Sequence, residues 1–354
     1  MIPALNEQET IGRVVEQIPR QIIGFDEVEI IVMDDDSTDA TAARATAAGA
    51  TVFTLRGRPG LGHVFRIGMA HAIRRGADVI VNIDGDGQFD GGDVPRLIAP
   101  IAAGDADFIT CSRFGNTNRP VGMSPVKYWG NRAVTWLVNR LARLQLSDVS
   151  CGFRAYNRQA AYRVFQFGRW SYTEESVIDL ASKGLRIAEL PLDVRGEREH
   201  GTSRVVPSVV RFGAQLACIL ALVVRDKHAL SFFGLLAVSL GTLGLCVVAF
   251  CLIWLAVDGD AIPVTSVVHI GSAIAVATGL LFVLAQLADQ IGQHRKLDEE
   301  LLYLARRRAV RSTFPAKKSM TPATAPAPPS DFTSVEVRPE ESSVLLSRPG
   351  ARQP

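Results

Sequence analysis

Two stretches of this chain carry no charge over a length that a soluble core helix does not need. Ala229 to Val257 (ALSFFGLLAVSLGTLGLCVVAFCLIWLAV) has no Asp, Glu, Lys or Arg, and Val264 to Ala288 (VTSVVHIGSAIAVATGLLFVLAQLA) adds only His269, ordinarily neutral. Each exceeds the roughly 20 residues that cross a bilayer. The linker between them, DGDAIP, is short and acidic. Basic residues flank the outer ends: Arg225 and Lys227 before, then Arg295, Lys296 and the run Arg306-Arg307-Arg308 after. The positive-inside rule places both ends in the cytosol, as a membrane hairpin. The alternative is a pair of buried helices in a soluble protein. The hairpin reading expects an integral protein of the inner or plasma membrane with its remaining mass cytosolic. A homo-oligomer through the spans is compatible with the sequence, and no feature demands one.

The rest of the chain must therefore supply the chemistry. With 354 residues there is room for one large domain or two ordinary ones. A hydrophobic content of 47% with net charge near +2 indicates neither wholesale disorder nor a nucleic-acid-binding surface. The five cysteines (Cys111, Cys151, Cys218, Cys246, Cys251) form no CxxC pair and no metal spacing, and are read as small buried hydrophobes in a reducing compartment.

Residues 1–204 alternate between strand and helix patterns. VEIIVMDDDS, TVFTL, DVIVNIDGD and ADFITCSRF read as strands; TDATAARATAAGA, GHVFRIGMAHAIRRGA and GDVPRLIAPIAAG read as helices between them. That order predicts an α/β domain with an open, mostly parallel sheet and helices on both faces. Ligands in such sheets collect at the carboxyl ends of the strands. The start, IPALNE, reads as the end of a strand leading into a helix capped near Asn6. So little of that strand remains that the reading favours a truncated first strand. Residues 205–228 are apolar with sparse charge, suggesting an amphipathic helix on the membrane surface or a soluble linker helix. The spans occupy 229–290, a cytosolic helix 291–311. The Pro-, Ala-, Ser- and Thr-rich tail 312–354 reads as disordered.

The stretch NIDGDGQFD turns the domain into a candidate enzyme. In an extended chain residues i and i+2 face the same side, so Asp84 and Asp86 both face one cavity, and Gly85 and Gly87 let backbone approach a ligand. Carboxylates gathered there are costly without a cation. Mg²⁺ or Mn²⁺ resolves the cost, because these ions take oxygen ligands and keep phosphate oxygens in their shell. A second acidic group, VMDDDSTDAT, ends another strand. Asp34 or Asp35 there suits a ribose or base contact, while Ser37 or Asp36 suits capping of a helix from about Thr38. The six histidines form no cluster, and His200 in REHGTSR is the one candidate for a phosphate contact. Gly60 and Gly62 in GRPGLG do not complete a dinucleotide fingerprint. The sequence shows no Ser-His-Asp set and no thiol nucleophile.

The motifs IPALNEQETI, VMDDDSTDAT, RPGLGHVFRIGM, NIDGDGQFDGGDVPRL, CSRF, SDVSCGFRAYNR, YTEESVIDLASKGLRIAELPL and REHGTSRV, in this order, resemble family 2 glycosyltransferases of the GT-A fold. With the hairpin behind them they resemble the polyprenyl-phosphate branch typified by dolichol-phosphate mannose synthases. The resemblance covers residues 1 to about 290 and not the tail. It implies that Pro3, Asn6, Glu7 and Asp35 hold the nucleotide, with Asp34 beside them. It implies that Asp84, Asp86 and Gln88 surround the metal and the sugar diphosphate, Asp86 being the firmest ligand. It implies that Arg113 and Lys127 face an acceptor phosphate, with Asn131 one helical turn on, and that Ser203 and Arg204 close over the phosphates. The chain departs from the family where Asp36 stands for a usual Gly and Phe89 for a frequent His, which leaves the base preference open.

Elementary electrostatics agrees with that assignment. An acceptor phosphate and a diphosphate repel each other, and Arg113, Lys127, Arg198 and Arg204 offset that repulsion. A phosphate oxygen is already nucleophilic at neutral pH, so Glu174 and Glu175 in YTEES serve as base, as positioning groups or as helix caps. The expected activity is therefore inverting transfer of a hexose from a nucleotide sugar, GDP-mannose or UDP-glucose, to polyprenyl phosphate. The alternatives are a hydroxyl acceptor on a lipid or glycan, or a non-catalytic membrane scaffold.

Overall fold

The computed structural model describes residues 1–57, 60–114, 120, 122–165, 172–192, 194, 233–254, 256–257, 264–313, 329 and 331–335. The chain divides into two compact units, with boundaries near residues 203 and 310.

In the first unit, β1 (Ile2–Ala4), β2 (Ile31–Asp34) and β3 (Thr51–Thr54) pair in parallel, with Ile2, Pro3 and Ala4 opposite Val32, Met33 and Asp34. A second sheet has the order β4 (Val79–Asn82), β6 (Arg154–Asn157), β5 (Phe108–Ser112), β7 (Ile187–Pro191), β8 (Thr333–Val335). Met1 joins the two sheets: its amino nitrogen donates to the Val81 carbonyl at 2.8 Å, and the Ile83 N–H donates to the Met1 carbonyl at 3.1 Å. The short first strand thus bridges β2 and β4.

The sheet is more mixed than the strand–helix alternation predicts. β6 runs antiparallel to both β4 and β5, and β8 antiparallel to β7, whereas β5 and β7 are parallel. The long α5 (Pro125–Ala142) lies between β5 and β6 in the chain, and β6 starts at the edge where β5 ends. β4 and β5 therefore end at one edge, and the loop entering β6 lies between them.

Helices α1 (Ile11–Gln17) and α4 (Val94–Ala102) bury Ile11, Val14, Val15, Leu97, Ile98 and Ile101 in one core with Ile2, Val32, Ile83, Ile109 and Phe153. Helix α3 (Leu61–Arg74) buries Val64, Phe65, Gly68, Met69, Ala72 and Ile73 at helical spacing. The remaining helices of this unit are α2 (Thr41–Ala47), α6 (Arg158–Arg163) and α7 (Thr173–Ser182). Helix α1 starts later than Asn6: the Glu7 carbonyl accepts from the Thr10 and Ile11 N–H groups and opens the first turn.

The tail contributes a described strand to the first unit. β8 covers the edge of β7 with Ile187, Ala188 and Glu189 opposite Val335, Ser334 and Thr333, while Asp331 pairs with Arg96 at 3.1 Å and Phe332 packs on the core. An exposed edge strand offers unpaired N–H and C=O groups, and this segment satisfies them. The tail read as disordered thus contributes a strand; the rest of it from 314 lies outside the described residues, as do residues 205–228 of the expected amphipathic helix.

In the second unit, α8 (Phe233–Trp254) has 22 residues and α9 (Val264–Thr313) has 50, and both are long and apolar enough to cross a membrane. At 1.5 Å per residue α9 extends about 75 Å, more than twice a hydrocarbon core, so its charged half from Asp289 onward runs past the apolar stretch. Gly241 faces Thr278, Gly244 faces Ile274 and Gly271 faces Val248. These pairs step in opposite directions along the two helices, which makes an antiparallel hairpin sealed by small residues. Gly244→Leu is expected to destabilise it by about 1–3 kcal/mol through overpacking against Ile274. Thermal unfolding in detergent measures this, and an unchanged midpoint would mean the seam does not hold the hairpin. Cys246 is exposed on α8, unlike the buried Cys111 and Cys151.

Candidate functional site

Two loops at the carboxyl edge are laced together. The Asn6 N–H donates to Ser37 Oγ at 2.9 Å, the Glu7 N–H to Thr41 Oγ1 at 2.8 Å, and Asn6 Oδ1 accepts from the Thr38 N–H at 2.7 Å. The Asp35 N–H continues the β1–β2 ladder to the Ala4 carbonyl at 2.8 Å. Pro3 is buried within β1 opposite Met33. Asp34 and Asp35 are both buried, and Asp34 Oδ1 accepts from the Ser37 N–H at 3.3 Å. Neither Ser37 nor Asp36 caps α2, because that helix begins only at Thr41, whose N–H donates to Asp39 Oδ1 at 3.0 Å. Asp36 instead adopts φ +61° and accepts from the Gly57 N–H at 3.2 Å. That left-handed backbone suits glycine best and Asp tolerably, which accounts physically for Asp at a position where the resembling family carries Gly.

The second group follows β4. Asp84 is half-buried, Asp86 is 3% exposed, and Asp86 Oδ1 accepts from the Gln88 N–H at 3.1 Å. Thr10 Oγ1 donates to the Gly85 carbonyl at 2.7 Å and ties this turn to α1. Phe89, where the family often has His, is buried against Phe153 with ring centroids 5.4 Å apart. Among the described residues no three His, Cys, Asp or Glu side chains form a metal-holding cluster. The two carboxylates and the Gln88 amide are hard oxygen donors, and they fit a Mg²⁺ or Mn²⁺ ion whose remaining ligands come from a substrate diphosphate.

The third group is built around Arg113, at the end of β5. Its Nε and Nη2 donate to the two carboxylate oxygens of Asp148 at 2.6 and 2.9 Å. The side chains are 12% and 0% exposed, so this is a buried bidentate pair. Burial alone would lower the Arg113 pKa; Asp148 outweighs it and holds the guanidinium above its ordinary value. Asp148 is itself held from behind. Glu189 on β7 accepts from the N–H groups of Ser147 and Asp148, each at 2.9 Å, and from Ser147 Oγ at 2.7 Å. Burial pushes the Glu189 carboxyl up despite these donors.

One segment connects the second and third groups. Asp148 grips Arg113, and four residues later the Gly152 Cα abuts the Asp84 carboxylate so closely that a Cβ there would lie 2.9 Å from its carboxyl carbon. The segment is pinned by Arg154, which is fully buried: Nη2 donates to the Val149 carbonyl at 2.6 Å, Nε to Cys151 at 2.7 Å, and Nη1 to the Thr173 carbonyl and Ser176 Oγ, both at 2.7 Å. Asn82, the last residue of β4, donates to the Gly152 carbonyl at 2.8 Å and to Tyr172 Oη at 2.7 Å. Burial, with the nearby Asp84 charge, raises the Tyr172 phenol well above its usual pKa.

Lys127 is exposed in the first turn of α5, and Asn131, one turn on along the same side, is buried. Glu174 is buried at the start of α7 and its Oε2 accepts from Thr173 Oγ1 at 2.6 Å. Ser203, Arg204, Arg198 and His200 lie outside the described residues. Asp148, Gly152, Arg154 and Glu189 were not singled out by the sequence. Asp148, Gly152 and Arg154 stand in the phrase SDVSCGFR at the entry to β6, and Glu189 stands far away in IAELP, so no local pattern joins the four.

Residues 1–165 match glycosyl transferase family 2. An uncharacterized glycosyltransferase of Mycobacterium tuberculosis is 32% identical over 213 residues, which cover 59% of this chain and 89% of that one. The polyprenol monophosphomannose synthase of Mycolicibacterium smegmatis is 28% identical, over 60% of this chain and 82% of its own. Among solved structures the chain is similar to the M. tuberculosis glucosyl-3-phosphoglycerate synthase in complex with Mg²⁺ and uridine diphosphate, at 26% identity and a TM-score of 0.47 over 63% of this chain and 76% of that one. The family match on the domain that carries these acidic strand ends, together with the mycobacterial relative, makes the chain a glycosyltransferase belonging to family 2.

Proposed function

We propose that this glycosyltransferase moves a hexose, with inversion, from a nucleotide sugar to the phosphate of a polyprenyl lipid at the cytosolic face of the membrane that its hairpin spans. The observation that carries the reading is the segment from Asp148 to Gly152, which touches an acidic strand end on one side and a guanidinium on the other. Such an arrangement suits two anionic substrates that must meet. Pro3, Asn6, Glu7, Asp34 and Asp35 hold the nucleotide. Asp84, Asp86 and Gln88 hold the divalent ion and the diphosphate. Arg113, Lys127 and Asn131, with Ser203 and Arg204, bind the acceptor phosphate. Relatives that include a polyprenol monophosphomannose synthase and an undecaprenyl-phosphate mannosyltransferase support the acceptor class.

The chemistry is a single displacement. An ionised acceptor oxygen attacks the anomeric carbon, its bond to that carbon forms as the bond to the diphosphate oxygen breaks, and the electron pair leaves with the nucleoside diphosphate. A divalent cation, when bound, supplies positive charge beside that leaving group. Arg113, locked by Asp148, offers its guanidinium to the acceptor without an entropic cost of ordering at the moment of reaction. No base is required, and the Glu174 carboxylate is engaged by Thr173 rather than poised alone.

The test is transfer on washed membranes carrying the full chain, with labelled GDP-mannose or UDP-glucose, with and without added undecaprenyl phosphate, in Mg²⁺ or EDTA. Label is expected in the organic phase only with lipid phosphate and metal, and the sugar that transfers identifies the donor. Label that transfers equally in EDTA, or without added lipid phosphate in lipid-depleted membranes, would refute the assignment.

A further inference from the structure

Helix α5 has an outer face that the fold leaves unexplained. Among the described residues of the first unit, the exposed large apolar side chains are Ile23, Val126, Trp129 and Trp136. Three of the four lie on α5, and both tryptophans are 68% exposed. At 3.6 residues per turn, Val126, Trp129, Arg132, Ala133, Trp136 and Arg140 fall on one stripe roughly 120° wide, and all six are exposed. The opposite side buries Asn131, Val134, Thr135 and Val138. No Asp or Glu occurs between Pro125 and Leu146, and Arg132, Arg140 and Arg143 are exposed around the tryptophans.

Two tryptophans standing in water on one stripe, ringed by cations, have a specific partner chemistry. Trp combines an apolar body with a polar N–H and settles at the headgroup level of a bilayer, while arginines at that depth meet lipid phosphates. A second copy of the same face would bring like charges together, and no acidic residue on α5 relieves them. The same chain carries two helices long and apolar enough to cross a membrane. Behind the stripe runs an aromatic ladder: Trp129 packs on Tyr128 at 5.4 Å, Tyr128 on Phe114 at 5.5 Å, and the Arg113 guanidinium lies 5.6 Å from the Phe114 ring centre.

We propose that the outer face of α5 docks on an anionic bilayer, with Val126, Trp129 and Trp136 entering the interface and Arg132, Arg140 and Arg143 binding lipid phosphates. Docking there sets the height of Arg113 above the lipid surface, through Phe114 and Tyr128. A polyprenyl phosphate, whose tail stays in the membrane, then presents its headgroup at a fixed level. The docking is independent of the transfer reaction; its consequence for the acceptor rests on the function proposed above.

Two measurements on the full chain test this. The four tryptophans are Trp129, Trp136, Trp170 and Trp254, so Trp170→Phe/Trp254→Phe leaves only the stripe to fluoresce. In vesicles of phosphatidylcholine and phosphatidylglycerol, replacing the acyl chains by brominated ones is expected to quench that emission by roughly twofold or more, as for residues at interfacial depth. Emission indifferent to bromination overturns the proposal, as does shielding of the tryptophans that appears only with rising protein concentration. The second measurement uses Trp129→Glu/Trp136→Glu. Transfer to undecaprenyl phosphate in vesicles is expected to fall roughly tenfold, while a short water-soluble prenyl phosphate is used within about twofold of the unaltered chain. An equal fall on both acceptors counts against docking. If no acceptor works with any version of the chain, the proposed function fails, and the quenching result still decides the docking.

Discussion

Gly152→Ala is expected to lower glycosyl transfer by about a hundredfold while the protein stays folded. The reason is local and geometric. A Cβ at residue 152 would overlap the Asp84 carboxylate, lying 2.9 Å from its carboxyl carbon. One of the two must move. The backbone is not free to retreat, because Asn82 holds the Gly152 carbonyl at 2.8 Å and Arg154 holds those of Cys151 and Val149 at 2.7 and 2.6 Å. The Asp84 carboxylate is the far end of a short side chain and gives way instead. A displacement near 1 Å in a reacting site is enough for a loss of that size. Circular dichroism and melting check the fold, and activity titrated against Mg²⁺ or Mn²⁺ shows whether the metal requirement has risen. Full activity at ordinary metal concentration would mean that the contact between Gly152 and Asp84 has no part in placing the ion.

That prediction depends on residues the sequence did not nominate, and the reason is instructive. Asp84 and Asp86 were legible because two carboxylates at alternate positions after an apolar strand violate the ordinary cost of burying charge. Such a violation shows in one dimension. Arg113 was nominated by the family resemblance, as the Arg that follows the next strand. Gly152, Asp148, Arg154 and Glu189 violate nothing locally. Arg154 reads as an ordinary surface cation until its strand is seen between β4 and β5, where its side chain is fully buried among carbonyls. Glu189 sits in the apolar run IAELP and finds Ser147 and Asp148 only by the pairing of β7 with β5. Both depend on pairings between strands far apart in sequence, which no short pattern encodes.

The fold itself was read correctly where local periodicity decides and misread where closure of the sheet decides. Helical spacing located α3 and α4, and uncharged length located α8 and α9. The antiparallel insertion of β6 was missed because strand direction is set by pairing with distant strands, not by local periodicity. β8 was missed because Thr333–Val335 lies in a tail whose composition argues for disorder. Its pairing answers a need of β7, an edge strand, rather than any propensity of its own.

Removing Asp148 alone should be among the most damaging single changes in the domain, and removing it together with Arg113 should not be. Asp148→Ala leaves the Arg113 guanidinium buried, at 12% exposure, with its two bonds to the carboxylate gone. Breaking a buried pair in this way costs about 3–5 kcal/mol, a large share of the roughly 5–15 kcal/mol that stabilises a typical domain. In Arg113→Met/Asp148→Leu no uncompensated charge remains. Most of the stability is expected to return, short by about 2 kcal/mol for the Ser150 and Arg113 N–H groups that Asp148 accepts at 3.1 and 3.3 Å. Transfer is not expected to return, since the group proposed to meet the acceptor phosphate is absent. Denaturant midpoints for the two single variants and the double one measure the first claim, and transfer at saturating lipid phosphate measures the second. A double variant as unstable as Asp148→Ala would show that Asp148 serves the backbone turn rather than Arg113. A stable double variant that still transfers would remove Arg113 from the acceptor site. The expected pairing of restored fold with lost transfer would separate two roles of this ion pair: charge balance in folding, and the proposed aiming of the guanidinium in the reaction.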